Sequence, residues 1–371
     1  KKPNTETYKI FSSLLDQHKI KYLLLMTGTP PQVPSEMWGL LHLIAPRRFD
    51  DQEKFRERYD GRENDNELKS IIAPYMLQRF KKNVEKTIGS KEEIIVEIEL
   101  STSQRNLYKE TLRTNAMKSD ASSNMKMDLR KVCNHPYLLI SPKRSQDSLI
   151  DPSERSNDPL QQQIECCGKM MFADKLLSQL YQQKSKVLIF SQLTQILDIF
   201  EDYCSYRKYK FARIDGQVRG SKRQFAMDNF NDPNKDIFIF LLCTKAGGQG
   251  LNLTAANYVI IYDSDWNPDN DIQAQARCHR IGQKNKVEVF RLVSKGTYET
   301  QMLKKSLEKI QNDQLNLYKI AFDKETRNLS IPQLLTNRIA IRSKEDLEQN
   351  LESEKTEGDI DNPLFFKQLQ R

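Results

Sequence analysis

Between about residues 186 and 293, short runs of Val, Ile, Leu and Phe alternate with amphipathic stretches, and this alternation constrains the fold more than any other feature. The runs are KVLIF (186–190), FARID (211–215), DIFIFLLCT (236–244), NYVIIYD (257–263) and VEVFRLV (287–293), with helices predicted at about 194–207, 220–230 and 269–280. Strands that are apolar throughout are buried on both faces, which calls for a parallel sheet with helices on each side. In such a sheet ligands sit at the carboxyl ends of the strands. Function is therefore expected in the loops after Phe190, Asp215, Thr244 and Asp263.

The preceding half reads differently. YLLLMTGTP (22–30) predicts a buried strand stopping in a polar loop, and SEMWGLLHLI (35–44) predicts a helix with Ser35 as its N-cap. KEEIIVEIEL (91–100) alternates partly like a strand, and Ser101 opens a capped helix. From about 141 to 165 the chain is polar and proline-punctuated, a surface excursion or a linker. After about Thr297 it becomes helical and charged, and its last 30 residues read as exposed or disordered.

A chain of 371 residues can bury two cores, and 38% hydrophobic residues mark it as globular and soluble in the main. Its longest apolar runs, 22–26 and 237–243, are far shorter than a bilayer needs, and no signal peptide is visible. It opens on Lys1 without a methionine, so the start reads as cut from something longer. Lys and Arg (58) exceed Asp and Glu (50), giving +8 and a pI near 9.0, a balance that favours a polyanionic partner. The six cysteines contain no C-x-x-C pair, which fits a reducing compartment; Cys133 and His135 lack a second close pair, so no metal site is expected.

The strand-end loops carry donors. Ser191 and Gln192 follow the first run, and Thr244-Lys245-Ala246-Gly247-Gly248-Gln249-Gly250-Leu251-Asn252 follows the third. Small residues admit backbone N–H groups close to an anion, while Thr and Lys add side-chain donors, so phosphate is the natural ligand; a tight turn before a helix is the plainer alternative. No segment satisfies G-x-x-x-x-G-K-[ST], since 216–222 has the wrong spacing, and no Asp-Glu-x-His pair follows a strand. In QAQARCHRIGQ (273–283), Arg277 and Arg280 fall three apart, on one face of the predicted helix. Phosphate-stabilising arginines without a P-loop would have to act across an interface.

These residues carry a family resemblance. TGTPPQ (27–32), LRKVCNHPYLL (129–139), GKMMFADKLL (168–177), KVLIFSQ (186–192), TKAGGQGLNLTAA (244–256), DSDWNP (263–268) and QAQARCHRIGQ resemble, in order, the later motifs of Swi/Snf-type ATPases of helicase superfamily two. PYMLQRFKKNVEKTI (74–88) and GQVRGSKRQ (216–224) look most like the chromodomain-helicase-DNA-binding remodelers. The sequence departs from the pattern in TGTPPQVP and in LQRF, the latter bearing on a basic contact near Gln78.

The resemblance implies an α/β fold: a RecA-like parallel sheet flanked by helices, the helicase C-terminal lobe, with a helical protrusion and the end of a first lobe. It assigns 1–100 to the end of lobe one, 101–165 to the protrusion and polar linker, 166–310 to the second lobe, and 311–371 to a helical brace and tail. It implies a nuclear chromatin-remodeling motor, a DNA-dependent ATPase that moves double-stranded DNA past histones. ATP and magnesium would be held mainly by the first lobe in cis, by residues before Lys1, so that this stretch alone should not hydrolyse ATP. By the same resemblance Gln273, Arg277 and Arg280 face ATP, Gly248, Gly250 and Asn252 line the nucleotide cleft, and Thr27, Gly28 and Thr29 couple nucleotide to DNA. Ser191, Gln192, Thr244 and Lys245 would touch the DNA backbone, and Trp266 either packs in the core or lies against the duplex. His135 and His279 read as structural. Two other functions share these motifs: a DNA or chromatin docking module that never hydrolyses ATP, and a DNA repair translocase.

Overall fold

The computed structural model of the chain describes residues 5–18, 20, 22–27, 34–60, 64–77, 88–116, 122–140, 158–218, 220–244 and 251–307. Gly28, Thr29, Gln78, Lys245, Gly248 and Gly250, the polar stretch 141–157 and everything from 308 onward lie outside them. The chain divides into two compact units, with the division between Lys86 and Thr87.

The first unit is helical. Glu6–His18, Pro34–Ile44, Gln52–Tyr59 and Asp65–Ile72 are its helices, and Met37, Trp38, Leu41, Phe49, Phe55, Tyr59, Leu68 and Ile72 make its core. Pro34 occupies the first turn of its helix, where a missing N–H costs nothing, so the helix starts ahead of Ser35 rather than being capped by it. Residues 22–27 do not form the expected buried strand: Tyr22, Leu24 and Met26 are 93%, 81% and 87% exposed. A buried strand needs neighbours to pair with, and none pairs with this run among the described residues.

The second unit is built on six parallel strands, β1 (Lys91–Ile98), β2 (Val187–Ser191), β3 (Phe211–Ile214), β4 (Ile239–Cys243), β5 (Tyr258–Ile261) and β6 (Val287–Ser294), in the order β1-β6-β5-β2-β4-β3. Successive residues feed two cores. Val187, Ile189, Ile239, Leu241 and Ile260 pack on one face with Met170, Leu177, Phe200 and Tyr203. Leu188, Phe190, Phe240, Leu242, Val259 and Ile261 pack on the other with Phe230, Ala274 and Cys278. Helices Thr194–Arg207 and Ser221–Asn231 make the crossovers, so this is the RecA-like α/β architecture the motifs imply.

Two features differ from the sequence reading. β1 lies within the stretch assigned to lobe one, yet it joins the second unit's sheet, pairing with β6 from Lys91↔Val287 to Ile98↔Ser294. Its apolar pattern announces a strand without saying which sheet accepts it. The helices Thr102–Ala116 and Ser122–Asn134 follow, the first opened by a reciprocal capping box in which Ser101 and Gln104 exchange backbone-to-side-chain bonds of 3.1 and 3.2 Å. The helix predicted to 280 is the other: it ends at Gln275, so Arg277 and Arg280 are not helical.

The cause is local. The carbonyl of Arg277 accepts from Leu253 N at 3.1 Å, and the Cys278 thiol and Gln283 amide both donate to the Ala256 carbonyl at 2.7 Å. These bonds draw the chain onto the segment leaving β4 and wind 276–280 as tight turns, with Gly282 at φ +99° supplying the exit.

Candidate functional site

All six strands point the same way, so their carboxyl ends form one edge. Ser191 ends β2 and Thr244 follows its neighbour β4. The Thr244 hydroxyl is buried and meets no hydrogen-bond partner among the described residues, and neither does the buried side-chain amide nitrogen of Gln192. Buried donors without partners are rare in folded proteins and mark this edge as a place for an external acceptor. Ser191 behaves differently. It is fully buried and donates to the Asp263 carboxylate at 2.5 Å, so its hydroxyl positions the edge rather than facing outward as expected.

Asp263 is the hub of that edge. It accepts from Ser191, from Gln192 N at 3.0 Å and from Arg130 at 3.4 Å. Burial pushes its carboxyl above the usual range, against the pull of Arg130. Arg130, from LRKVCNHPYLL, also donates to Ser264 O at 2.8 Å, and its guanidinium carbon lies 5.4 Å from the centre of the Trp266 ring. Trp266 is 48% exposed, with Tyr298 at 5.6 Å on a tilted ring. It is therefore a half-exposed platform, not a core residue.

The arginines lie away from that edge, toward the amino ends of the strands: their turns bond Ala256, just before β5, and Gly89, just before β1. Gln273 is on the helix Pro268–Gln275, and the turns beyond it carry Arg277 and Arg280. Arg280 donates to Leu251 O at 3.3 Å, next to the exposed Asn252, whose own carbonyl accepts from Asn231 at 2.7 Å. Burial, then repulsion from Arg280 and Arg223, lowers the Arg277 pKa. Three guanidiniums near one another form a concentrated positive field suited to a polyanion such as triphosphate. Thr27, in the first unit, is exposed. His279 bonds Gly89 O at 2.8 Å and His135 bonds Gln163 O at 2.9 Å, both within the scaffold.

Residues 168–282 match the helicase conserved C-terminal domain and residues 1–138 match the SNF2-related domain. The chain belongs to the SNF2-related helicase family. Among its relatives are chromodomain-helicase-DNA-binding protein 8 of Danio rerio, 42% identical over 84% of this chain, and chromodomain-helicase-DNA-binding protein 7 of Homo sapiens, 40% identical over 90%. The chain spans 13% and 11% of the lengths of those two proteins. A solved structure described as the C-terminal part of the Fun30 ATPase domain aligns at a TM-score of 0.49 and 27% identity, covering 63% of this chain and 98% of that one.

Within this SNF2-related chain several residues that organise the site were not singled out from sequence. Arg223 joins the two arginines from the helix Ser221–Asn231. Arg130, Lys169, Asp271 and Arg291 are buried charges, each paired across long stretches of sequence. A charge inside an otherwise apolar motif, as in GKMMFADKLL or VEVFRLV, is the signal that could have found two of them. Among the described residues no group of three or more His, Cys, Asp or Glu is placed to hold a metal ion, and no helix is long and apolar enough to cross a membrane. All six cysteines are free and buried.

Proposed function

We propose that the chain is the second-lobe portion of an ATP-dependent chromatin-remodeling motor, acting in the nucleus, that translocates on double-stranded DNA and slides nucleosomes. The observation that carries this reading is the convergence of Arg277, Arg280 and Arg223, beside Asn252, on the Phe230–Cys278 face of a RecA-like sheet. In the proposed role Arg277 and Arg280 neutralise the charge that develops on the transferred phosphoryl group, while Gln273 orients the reacting end of ATP.

The residues present fit the triphosphate: guanidiniums supply planar, permanent positive charge, and Gly248 and Gly250 would let backbone approach it. They fit magnesium less well, because Asp263 and Asp271 are engaged by Arg130 and Arg291. ATP with its magnesium is accordingly assigned to the first lobe in cis, with Thr27, Gly28 and Thr29 coupling the two ligands. On the DNA side, the unmet donors of Gln192 and Thr244, with Lys245 next in sequence and Trp266 exposed, support contact with the phosphate backbone.

The test is phosphate release by the whole protein. Turnover should rise severalfold with duplex DNA and should be absent from residues 1–371 alone. A whole protein that binds nucleosomes but shows no turnover would instead be a docking module.

A further inference from the structure

One buried ion-pair network joins the Trp266 loop to the Gln273–Arg280 segment. Arg291 of β6 stands at its centre. Its Nη1 donates to the Asp271 carboxylate at 2.5 Å and to the Ser264 hydroxyl at 2.8 Å. Its Nε and Nη2 both donate to Glu93 Oε1 of β1, at 2.8 and 2.7 Å. Asp271 lies on the helix that delivers Gln273 and then the arginines, and its two oxygens accept from Asp265 N at 3.2 and 3.3 Å. Lys91 of β1 donates to Gln275 of the same helix at 2.5 Å.

Asp271 is 2% exposed and Arg291 8%, and such a pair costs more to desolvate than its attraction returns unless every donor and acceptor is met. Here the donors are met by two different functional segments. Apolar residues of equal volume would pack this layer at lower cost, so what the charges add is geometric specification. They fix residues 264–265, immediately before Trp266, to the helix turn before Arg277.

We infer that Asp271 and Arg291 are positioning residues that couple DNA at the Trp266 loop to the arginines facing ATP. The inference rests on the motor reading above. A displacement of the Trp266 loop pulls on Ser264 and Asp265, and the shared Asp271–Arg291 pair passes it to the Gln273–Arg280 segment. The pair touches neither ligand.

The experiment measures ATPase rates of the whole protein with and without saturating duplex DNA, alongside DNA affinity. Asp271→Asn keeps an oxygen for Asp265 N and removes the charge that holds Arg291. Stimulation by DNA should fall about tenfold, a coupling loss of roughly 1.4 kcal/mol, with DNA-free turnover and DNA affinity within about twofold of wild type. Arg291→Lys should show the same split. Ser264→Ala deletes one hydroxyl without disturbing the ion pair, so it stays folded if Asp271→Asn does not, and it should lower stimulation in the same direction. Equal losses with and without DNA would reduce the pair to a structural role, and unchanged stimulation in Ser264→Ala and Arg291→Lys would overturn the coupling. Arg280→Ala, run in parallel, separates the two levels: if it abolishes turnover while the coupling variants behave as wild type, the motor reading stands and this inference falls.

Discussion

Lys169 and Glu299 form an ion pair of 2.8 Å whose side chains are 1% and 4% exposed, joining the first turn of helix Gly168–Gln182 to the segment after β6. Lys169 also donates to Asn134 Oδ1 at 2.9 Å and to Tyr262 O at 3.0 Å, while the other Glu299 oxygen accepts from Ser294 N at 3.0 Å. One ammonium thus ties LRKVCNHPYLL, the end of β5 and the chain leaving β6 into a single knot. Removing it leaves a buried carboxylate alone, so Lys169→Met should cost about 3–5 kcal/mol. Lys169→Met with Glu299→Leu should cost less than the single change, measured by urea unfolding.

Gly168 sits directly before that lysine, against β1. A Cβ there would be driven into the Glu99 carbonyl oxygen and would come within 3.0 Å of Ile98 Cγ2. Backbone cannot rotate away as a side chain can, so Gly168→Ala should destabilise by about 1–3 kcal/mol despite alanine's better helix propensity. Thermal unfolding of the variant reads this directly, and an unchanged midpoint would contradict the packing.

His135 makes a pH prediction. Burial lowers its pKa to about 4, although the bond to Gln163 O favours the proton. The unfolded chain takes up a proton near its ordinary value of about 6.5 that the fold refuses, so stability is full above that value and is lost as pH falls toward 4. Between pH 7 and 5 the loss should be about 2 kcal/mol. Asp271, raised by burial to about 6, acts in the opposite sense, its contribution present at low pH and lost as pH rises through that value. Comparing wild type with His135→Asn isolates the histidine: the variant should lack the loss, and equal slopes would contradict the assignment.

DNA binding by the whole protein should separate charge from stacking. Lys245→Ala should reduce the slope of log affinity against log salt by roughly 0.9, the value of one phosphate contact. Trp266→Ala should weaken binding by about 1–3 kcal/mol while leaving that slope unchanged. Titrations at three salt concentrations check both.

The sheet was legible because its strands are buried on both faces, so β2, β4 and β5 announce themselves as unbroken apolar runs. Helix Thr194–Arg207 was legible to the residue for a similar reason, its apolar positions Ile196, Leu197, Phe200, Tyr203 and Cys204 recurring at helical spacing. The end of helix Pro268–Gln275 was not, because Ala276 to Arg280 contain nothing that breaks a helix. What stops it is tertiary: the hold of Leu253 N on the Arg277 carbonyl and of Gln283 on the 254–256 backbone, more than 20 residues away in sequence. The roles of Arg130 and Arg291 were hidden likewise, since their partners, Asp263 and Glu93, are distant in the chain. Arg277 and Arg280 could be named from sequence as a pair, but the third guanidinium, Arg223, could be added only by the fold.

The central claim is that Arg280 serves ATP hydrolysis rather than DNA binding, and steady-state ATPase assays of the whole protein with saturating duplex DNA test it most directly. Arg280→Ala should lower kcat by about 10³ or more, the scale of an arginine finger, with DNA affinity within twofold of wild type. Turnover retained in that variant, or lost in proportion to DNA affinity, would contradict the account.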